Sequence, residues 1–373
     1  MHLGRFNKAI EMLTDIYQKM NYVQRFDSLI SSLHVVASHP GNVEYANAYK
    51  AELEAFRQIL LQSELNSPRP GLQSILASID AEQYIGNKLF QKVMDAISEN
   101  PATPSLALNG IQKLKDQTVA FYSNVVLLDT VFQALSVEYD SLDEEEGEIG
   151  ILIPRDLNSS TLICVSKEFK DWSTILSPLT ELFDPVAKPL QIRTCATTDF
   201  TVYLAATYLV IRGIAECLKG LNIILSEINS TRELIEQLSS KIAAPEEIDK
   251  LRENNKQKLN NEIRKFAEKT VEDNYKESDE SRKNELKNAV NQSLKKIIEK
   301  ISGGAKIELK YIAPKKQENG TDSQEVNSQQ EKENFAIELD EQILLIDFSE
   351  SKSHVLALLE NNYDELNKDE TEA

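Results

Sequence analysis

The longest regular apolar pattern in the chain lies in residues 201–242 and decides the fold class. This stretch reads TVYLAATYLVIRGIAECLKGLNIILSEINSTRELIEQLSSKI. Apolar or small residues recur there in alternating steps of four and three, at Tyr203, Thr207, Val210, Ile214, Cys217, Leu221, Ile224, Ile228, Thr231, Ile235, Leu238 and Ile242. Because a repeat that averages 3.5 residues is typical of a coiled-coil seam, the sequence predicts one long helix here.

A second helical segment follows directly and predicts a hairpin. Pro245 and two glutamates after it suit the first turn of a new helix. Apolar residues recur from Ile248 to Phe266 and, after a polar interruption at 274–283, from Leu286 to Ile301. The sequence therefore predicts a coiled-coil helical hairpin over residues 198–302.

Short strand-like segments flank this hairpin on both sides. Residues 190–193 precede it, and the alternating residues 306–312 follow it. Further strands are predicted at 149–153 and 161–165, and a helix after Ser166. Since an antiparallel hairpin returns the chain to its starting point, we expect it to be inserted into a small α/β domain formed by 148–197 with 303–373.

The C-terminal part of this α/β domain is mixed in character. Residues 314–333 are rich in Gln, Asn, Glu and Ser, which predicts a disordered linker. Alternation at 335–339, an apolar run at 343–346 and an amphipathic pattern at 356–366 predict two strands and a last helix.

Residues 1–140 predict a four-helix bundle. Apolar stripes run over 6–37, 46–60, 72–97 and 107–139, and turn residues containing proline separate them. Glu82 and Gly86 interrupt the third stripe, where we expect a bend that buries Tyr84 or Ile85 instead. The last stripe is expected to bury Leu128 and Leu135. The predicted fold class is α+β and predominantly helical.

The net charge of −19 is concentrated in two segments. Residues 138–148 hold seven acids and no base, and residues 318–373 hold sixteen acids against three bases, so the rest of the chain is close to neutral. This distribution argues against general attraction to nucleic acid or to anionic membranes. A local group of lysines, from Lys295 to Lys316, remains as the basis for a nucleic-acid hypothesis.

Composition also indicates a cytoplasmic protein. The most apolar stretch, 202–211, has half the roughly 20 residues that a membrane span needs. The N-terminus lacks the apolar run of a secretory signal. Three cysteines without metal or disulfide spacing suit a reducing compartment.

One short segment offers candidate site residues. Phosphate-binding, hydrolase and zinc motifs are absent, so no cofactor and no metal is expected. Arg193, Thr197 and Thr198 lie where a predicted strand enters the long helix, a junction suited to holding an anion, and Arg155 ends another strand. The same field would lower the pKa of Cys195 and make it a candidate nucleophile. Alternatively, these residues only cap and pack the helix.

Three functions fit these observations. The first is a non-enzymatic scaffold that binds a protein partner, or a second copy of itself as a homo-oligomer, through the helical arm and the bundle. The second is an enzyme or a sensor of small anions or nucleotides at 193–199. The third is nucleic-acid binding along the arm.

Overall fold

Two compact units make up the chain, Met1–Ser141 and Leu142–Ala373. The computed structural model describes residues 2–99, 104–154, 161–196, 200–239, 245–315 and 323–342. These residues form eleven α-helices and one four-stranded antiparallel sheet, which confirms the predominantly helical α+β class. No helix among them is long and apolar enough to cross a membrane.

The first unit contains helices and, among its described residues, no strand. Its α-helices are α1 (Leu3–Met20), α2 (Tyr22–Ser38), α3 (Val43–Leu61), α4 (Pro70–Ser78), α5 (Gly86–Ser98) and α6 (Pro104–Ala134). Helix α6 packs against α1, α2 and α5. Its Tyr122 stacks on Tyr17 and Tyr22, with ring centroids 4.5 and 5.3 Å apart. The aromatic stack joins the first and last helices in one core.

Two of the predicted helices of this unit are broken. Asn21 adopts the left-handed conformation that asparagine tolerates, and it separates α1 from α2. Asp80 and Gly86, also at positive φ, separate α4, a short 3-10 turn and α5. Ile85 is buried between them, whereas Glu82 forms an ion pair with Lys88. The expected bend at this position is confirmed and amounts to a complete interruption.

The second unit combines the sheet with five helices. The strands are β1 (Gly147–Leu152), β2 (Gln191–Ala196), β3 (Thr201–Ala206) and β4 (Lys306–Tyr311), and the helices are α7 (Leu162–Phe183), α8 (Tyr208–Ser239), α9 (Pro245–Asn274), α10 (Glu280–Ser302) and α11 (Ser323–Gln342). The strand order is β2-β3-β1-β4, and all pairs are antiparallel. Ile149, Ile151 and Val202 face the helices and belong to one core with them.

Strand β3 replaces the predicted start of the long helix. The register pairs Val202 with Ile151 and Leu204 with Ile149, so alternate apolar side chains reach the core. Tyr203 and Thr207 fit the heptad spacing but lie outside α8, which begins at Tyr208. Because β3 lies between β1 and β2, the backbone N–H and C=O groups of residues 201–206 form hydrogen bonds on both sides of the strand. The first turn of a helix would leave its N–H groups without such partners.

The helices after β3 do not form a free-standing hairpin. The chain turns again at 275–279, where the Asp279 side chain accepts hydrogen bonds from the backbone N–H groups of Ser281 and Arg282 and begins α10. Helices α7, α9 and α10 share the core of the sheet with α8. Accordingly, α8 buries a broad surface rather than a single seam: Val210, Ile211, Ile214, Ala215, Cys217, Leu218 and Leu221. Residues 198–302 therefore share their core with the predicted α/β domain.

Two further segments differ from their sequence predictions. Residues 161–165, expected to be a strand, begin α7, because the Thr161 hydroxyl caps the backbone N–H of Cys164 at 3.3 Å. Residues 323–342 form α11, although 314–333 were expected to be disordered and 335–339 to be a strand. Phe335 and Leu339 of α11 join the core. The predicted elements at 343–346 and 356–366 lie outside the described residues.

Candidate functional site

Arg193 lies on strand β2 and faces two carboxylates. Its Nη1 atom is 3.7 Å from Oε2 of Glu146 and 3.7 Å from Oε2 of Glu148. Glu148 is buried on strand β1. The acids that surround the guanidinium already supply the negative charge that a bound anion would bring. This arrangement gives no support to the anion-site hypothesis.

The N-terminus of α8 does not adjoin Arg193 in the chain, since β3 lies between them. Thr207, the residue before α8, donates a hydrogen bond from its hydroxyl to Oδ2 of Asp184 at 2.8 Å. A carboxylate of the chain itself thus lies beside the helix end where an anion was expected. Thr197, Thr198 and Arg155 lie outside the described residues.

Cys195 lies on strand β2, an edge strand of the sheet, and is exposed. Partial burial raises the pKa of its thiol. An activated nucleophile needs the opposite shift, because the thiolate is the reactive form. Among the described residues, no group of three histidines, cysteines or acids could hold a metal ion.

Two of the lysines near the end of α10 are engaged by acids. The Lys300 amino group lies 2.8 Å from both carboxylate oxygens of Glu168 and 3.0 Å from Asp171 Oδ2. Lys315 pairs with Glu144 at 2.9 Å. Burial lowers the pKa of Lys295. Lys316 lies outside the described residues. These ion pairs reduce the positive charge that this group could offer to a phosphate backbone.

Helix α6 carries the most extensive uncovered apolar surface that we find in the first unit. Its core side buries Val125, Asp129 and Phe132. On another side, large aliphatic side chains are open to solvent over the last turns and at the residue that follows the helix: Leu127 (62% exposed), Leu128 (38%), Val131 (41%) and Leu135 (70%). We call these four residues the α6 open face. A helix with apolar residues on two sides is typical of one that packs between two neighbours.

The α6 open face is also free of charge. Residues 117–137 contain one charged residue, Asp129, and its side chain is buried. The exposed residues beside the face are uncharged from 123 to 136: Ser123, Asn124, Thr130, Gln133, Ala134 and Ser136. In a chain of net charge −19, the face itself brings no charge to a contact, and the acidic segment begins beyond it at Glu138.

Sequence reasoning located α6 but assigned two of these residues to the core. Leu128 and Leu135 fit the predicted stripe, whereas the structure buries Tyr122 and Asp129. A straight helix has 3.6 residues per turn, so a stripe with a shorter period drifts around the helix over 31 residues. The doubled apolar residues at 125–126 and 127–128 are the signal of a second face.

Comparison of the chain with protein-family models, curated proteins and solved structures finds no match.

Proposed function

We propose that this chain is a non-enzymatic interaction protein that assembles with a second copy of itself through the α6 open face. The observation that carries the proposal is the row of four solvent-exposed aliphatic side chains on an uncharged segment. A second copy of the same helix offers a matching apolar and uncharged surface, as a two-fold symmetric interface requires.

The energy of this contact predicts a concentration-dependent dimer. Complete burial of a leucine or valine side chain contributes roughly 1.5–3 kcal/mol. The exposed fractions of the α6 open face amount to about two side chains, or roughly 3–6 kcal/mol per copy. Association costs about 4–15 kcal/mol, so two copies bind in the micromolar range or more weakly.

Light scattering after size-exclusion chromatography tests this proposal. From micromolar to submillimolar concentration, the molar mass should rise from 42.1 kDa toward twice that value. The variant L127K/L135K should remain at the monomer mass, because lysine keeps the helix but places charges on the face. Val43, 71% exposed on α3, provides the control V43K, which should still dimerise.

Two results would refute the proposal. One is a wild-type chain that stays monomeric over the whole concentration range. The other is a dimer that L127K/L135K leaves unchanged, which would assign the interface to another surface.

The expectation of a cytoplasmic location belongs to the same proposal. Cys164, Cys195 and Cys217 are all free thiols, which supports a reducing compartment.

A further inference from the structure

A cavity of about 410 Å³ lies in the second unit, between α7, the segment that follows α7, and strands β2 and β3. Its floor is buried: Trp172, Leu176 and Val202 are each 3% exposed. Its mouth is formed by exposed residues, among them Ser177 and Ile192. The volume falls within the range of about 300–1,000 Å³ that is typical of small-molecule sites.

Trp172 lies in the floor of this cavity. Its indole Nε1 atom has almost no accessible surface and no hydrogen-bond partner within the described part of the chain. A molecule in the cavity would therefore contact the carbon atoms of the indole ring rather than its N–H group.

The charges around the cavity select against anions. Its lining includes Glu181 and Asp184 and, in the described chain, no lysine, arginine or histidine. Glu181 is neutralised by Arg282, whose Nε and Nη2 atoms donate to it at 2.7 and 2.6 Å. Asp184 accepts a hydrogen bond from Thr207. A carboxylate or phosphate group would meet Asp184 and, among the lining residues that the structure describes, no cation.

We propose that this cavity, which we call the Trp172 cavity, binds a neutral and largely apolar small molecule that packs against the indole ring of Trp172. The aromatic and aliphatic floor supplies most of the contact area. This site is independent of the proposed assembly through α6, since it lies in the other unit and belongs to a separate core.

The experiment uses the fact that Trp172 is the only tryptophan in the chain. Full-length protein labelled with nitrogen-15 at tryptophan should give one indole resonance. Benzophenone, a neutral molecule with two aromatic rings, should shift that resonance and bind in a saturable manner. Diphenylmethane has the same two rings without the carbonyl group, and it should bind with similar affinity, because apolar contact supplies most of the binding energy.

A third probe tests the charge argument. The anion 4-benzoylbenzoate has the benzophenone skeleton with an added carboxylate. It should not bind, because the carboxylate would approach Asp184 without any cation. Binding of this anion as tight as that of benzophenone would overturn the proposal.

Matched variants on α7 locate the site. Ser177 lines the cavity mouth, whereas the exposed Thr174 does not line the cavity. Both hydroxyls donate to the carbonyl four residues earlier, at 2.7 and 2.9 Å. S177F should therefore abolish benzophenone binding, and T174F should retain it.

Two further outcomes would overturn the proposal. One is an indole resonance of the folded protein that none of the probes moves. The other is a resonance that moves on raising the protein concentration alone, which would assign the cavity to a second copy of the chain.

Discussion

Replacing Gly213 on helix α8 by alanine tests the packing of the second unit. The sign of the resulting change in the free energy of unfolding distinguishes a packed helix from a free one. A Cβ atom at this position would lie 2.1–2.4 Å from three ring atoms of Phe183 on α7. In a helix that projected freely as an arm, Gly213→Ala would stabilise by about 1 kcal/mol, the difference in helix propensity. In the packed structure the added methyl group overlaps the ring.

The magnitude follows from these two opposing effects. Forcing an extra methyl group into a close-packed core destabilises by about 1–3 kcal/mol. The added Cβ atom would lie 2.1 Å from Cγ of Phe183, which is the attached end of the ring. Such a short separation belongs to the upper part of that range. After the gain in propensity of about 1 kcal/mol, we expect G213A to lower the free energy of unfolding by about 1–2 kcal/mol.

Urea denaturation followed by the fluorescence of Trp172 measures this change, because the only tryptophan lies in the second unit. The companion variants F183L and G213A/F183L complete a double-mutant cycle. Since leucine vacates the space of the ring, G213A should cost much less in the F183L background, with a coupling energy of about 1 kcal/mol or more. A stabilised G213A, or a cycle without coupling, would refute the reasoning about α7 and α8.

Two further predictions concern reactive and charged side chains. Burial, together with the nearby Glu216, raises the pKa of Cys217 to about 12; a thiol reagent such as dithiobisnitrobenzoate should therefore modify Cys217 only after unfolding, and early labelling of this residue in the folded protein would contradict its burial. Burial alone would lower the pKa of Lys300, but its hydrogen bonds to Glu168 and Asp171 raise it. Its stabilisation is therefore complete below the unfolded-state pKa of about 10.4 and is lost at higher pH. K300M should lower the free energy of unfolding by about 1–3 kcal/mol at neutral pH. In urea titrations over a pH series, the difference between K300M and wild type should shrink as the pH rises above about 10.4, whereas a difference independent of pH would indicate lost packing.

The elements that sequence reasoning found share one property, an unambiguous periodic pattern with clear ends. Helix α6 was predicted over 107–139 and forms over 104–134. Strand β4 was predicted over 306–312 and forms over 306–311. Over such lengths the apolar period identifies the element without tertiary information.

The elements that it missed are short or depend on their neighbours. The run TVYLAA at 201–206 satisfies both a helical and an alternating pattern, and only pairing with β1 and β2 selects the strand. Among the described side chains of helix α11, Phe335 and Leu339 are the buried ones. Two glutamates of α11 form ion pairs with α8, Glu331 with Arg212 and Glu338 with Lys219. A polar helix held largely by contacts with another helix leaves little periodic signal.

The predicted position of the candidate site residues depended on assigning residues 201–206, which form β3, to the long helix. Arg193 and Cys195 were assigned to the root of the long helix because the pattern that begins at Tyr203 was taken as helical. Once 201–206 form β3, both residues lie on an edge strand, and the acids of β1 and its preceding loop come within 3.7 Å of Arg193. That proximity depends on strand order, which spacing along the chain does not specify.

The two proposed sites lie in units with separate cores, and this separation makes their tests independent. Leu127 and Leu135 belong to the helical unit, and Trp172 to the unit that contains the sheet. L127K/L135K should therefore abolish dimerisation and leave the benzophenone shift of the Trp172 indole unchanged. S177F should abolish that shift and leave the dimer intact, because it alters a cavity mouth that shares no residue with α6. If either variant removed both properties, a contact between the units would have to transmit the change, and the two sites would have to be treated as one coupled system.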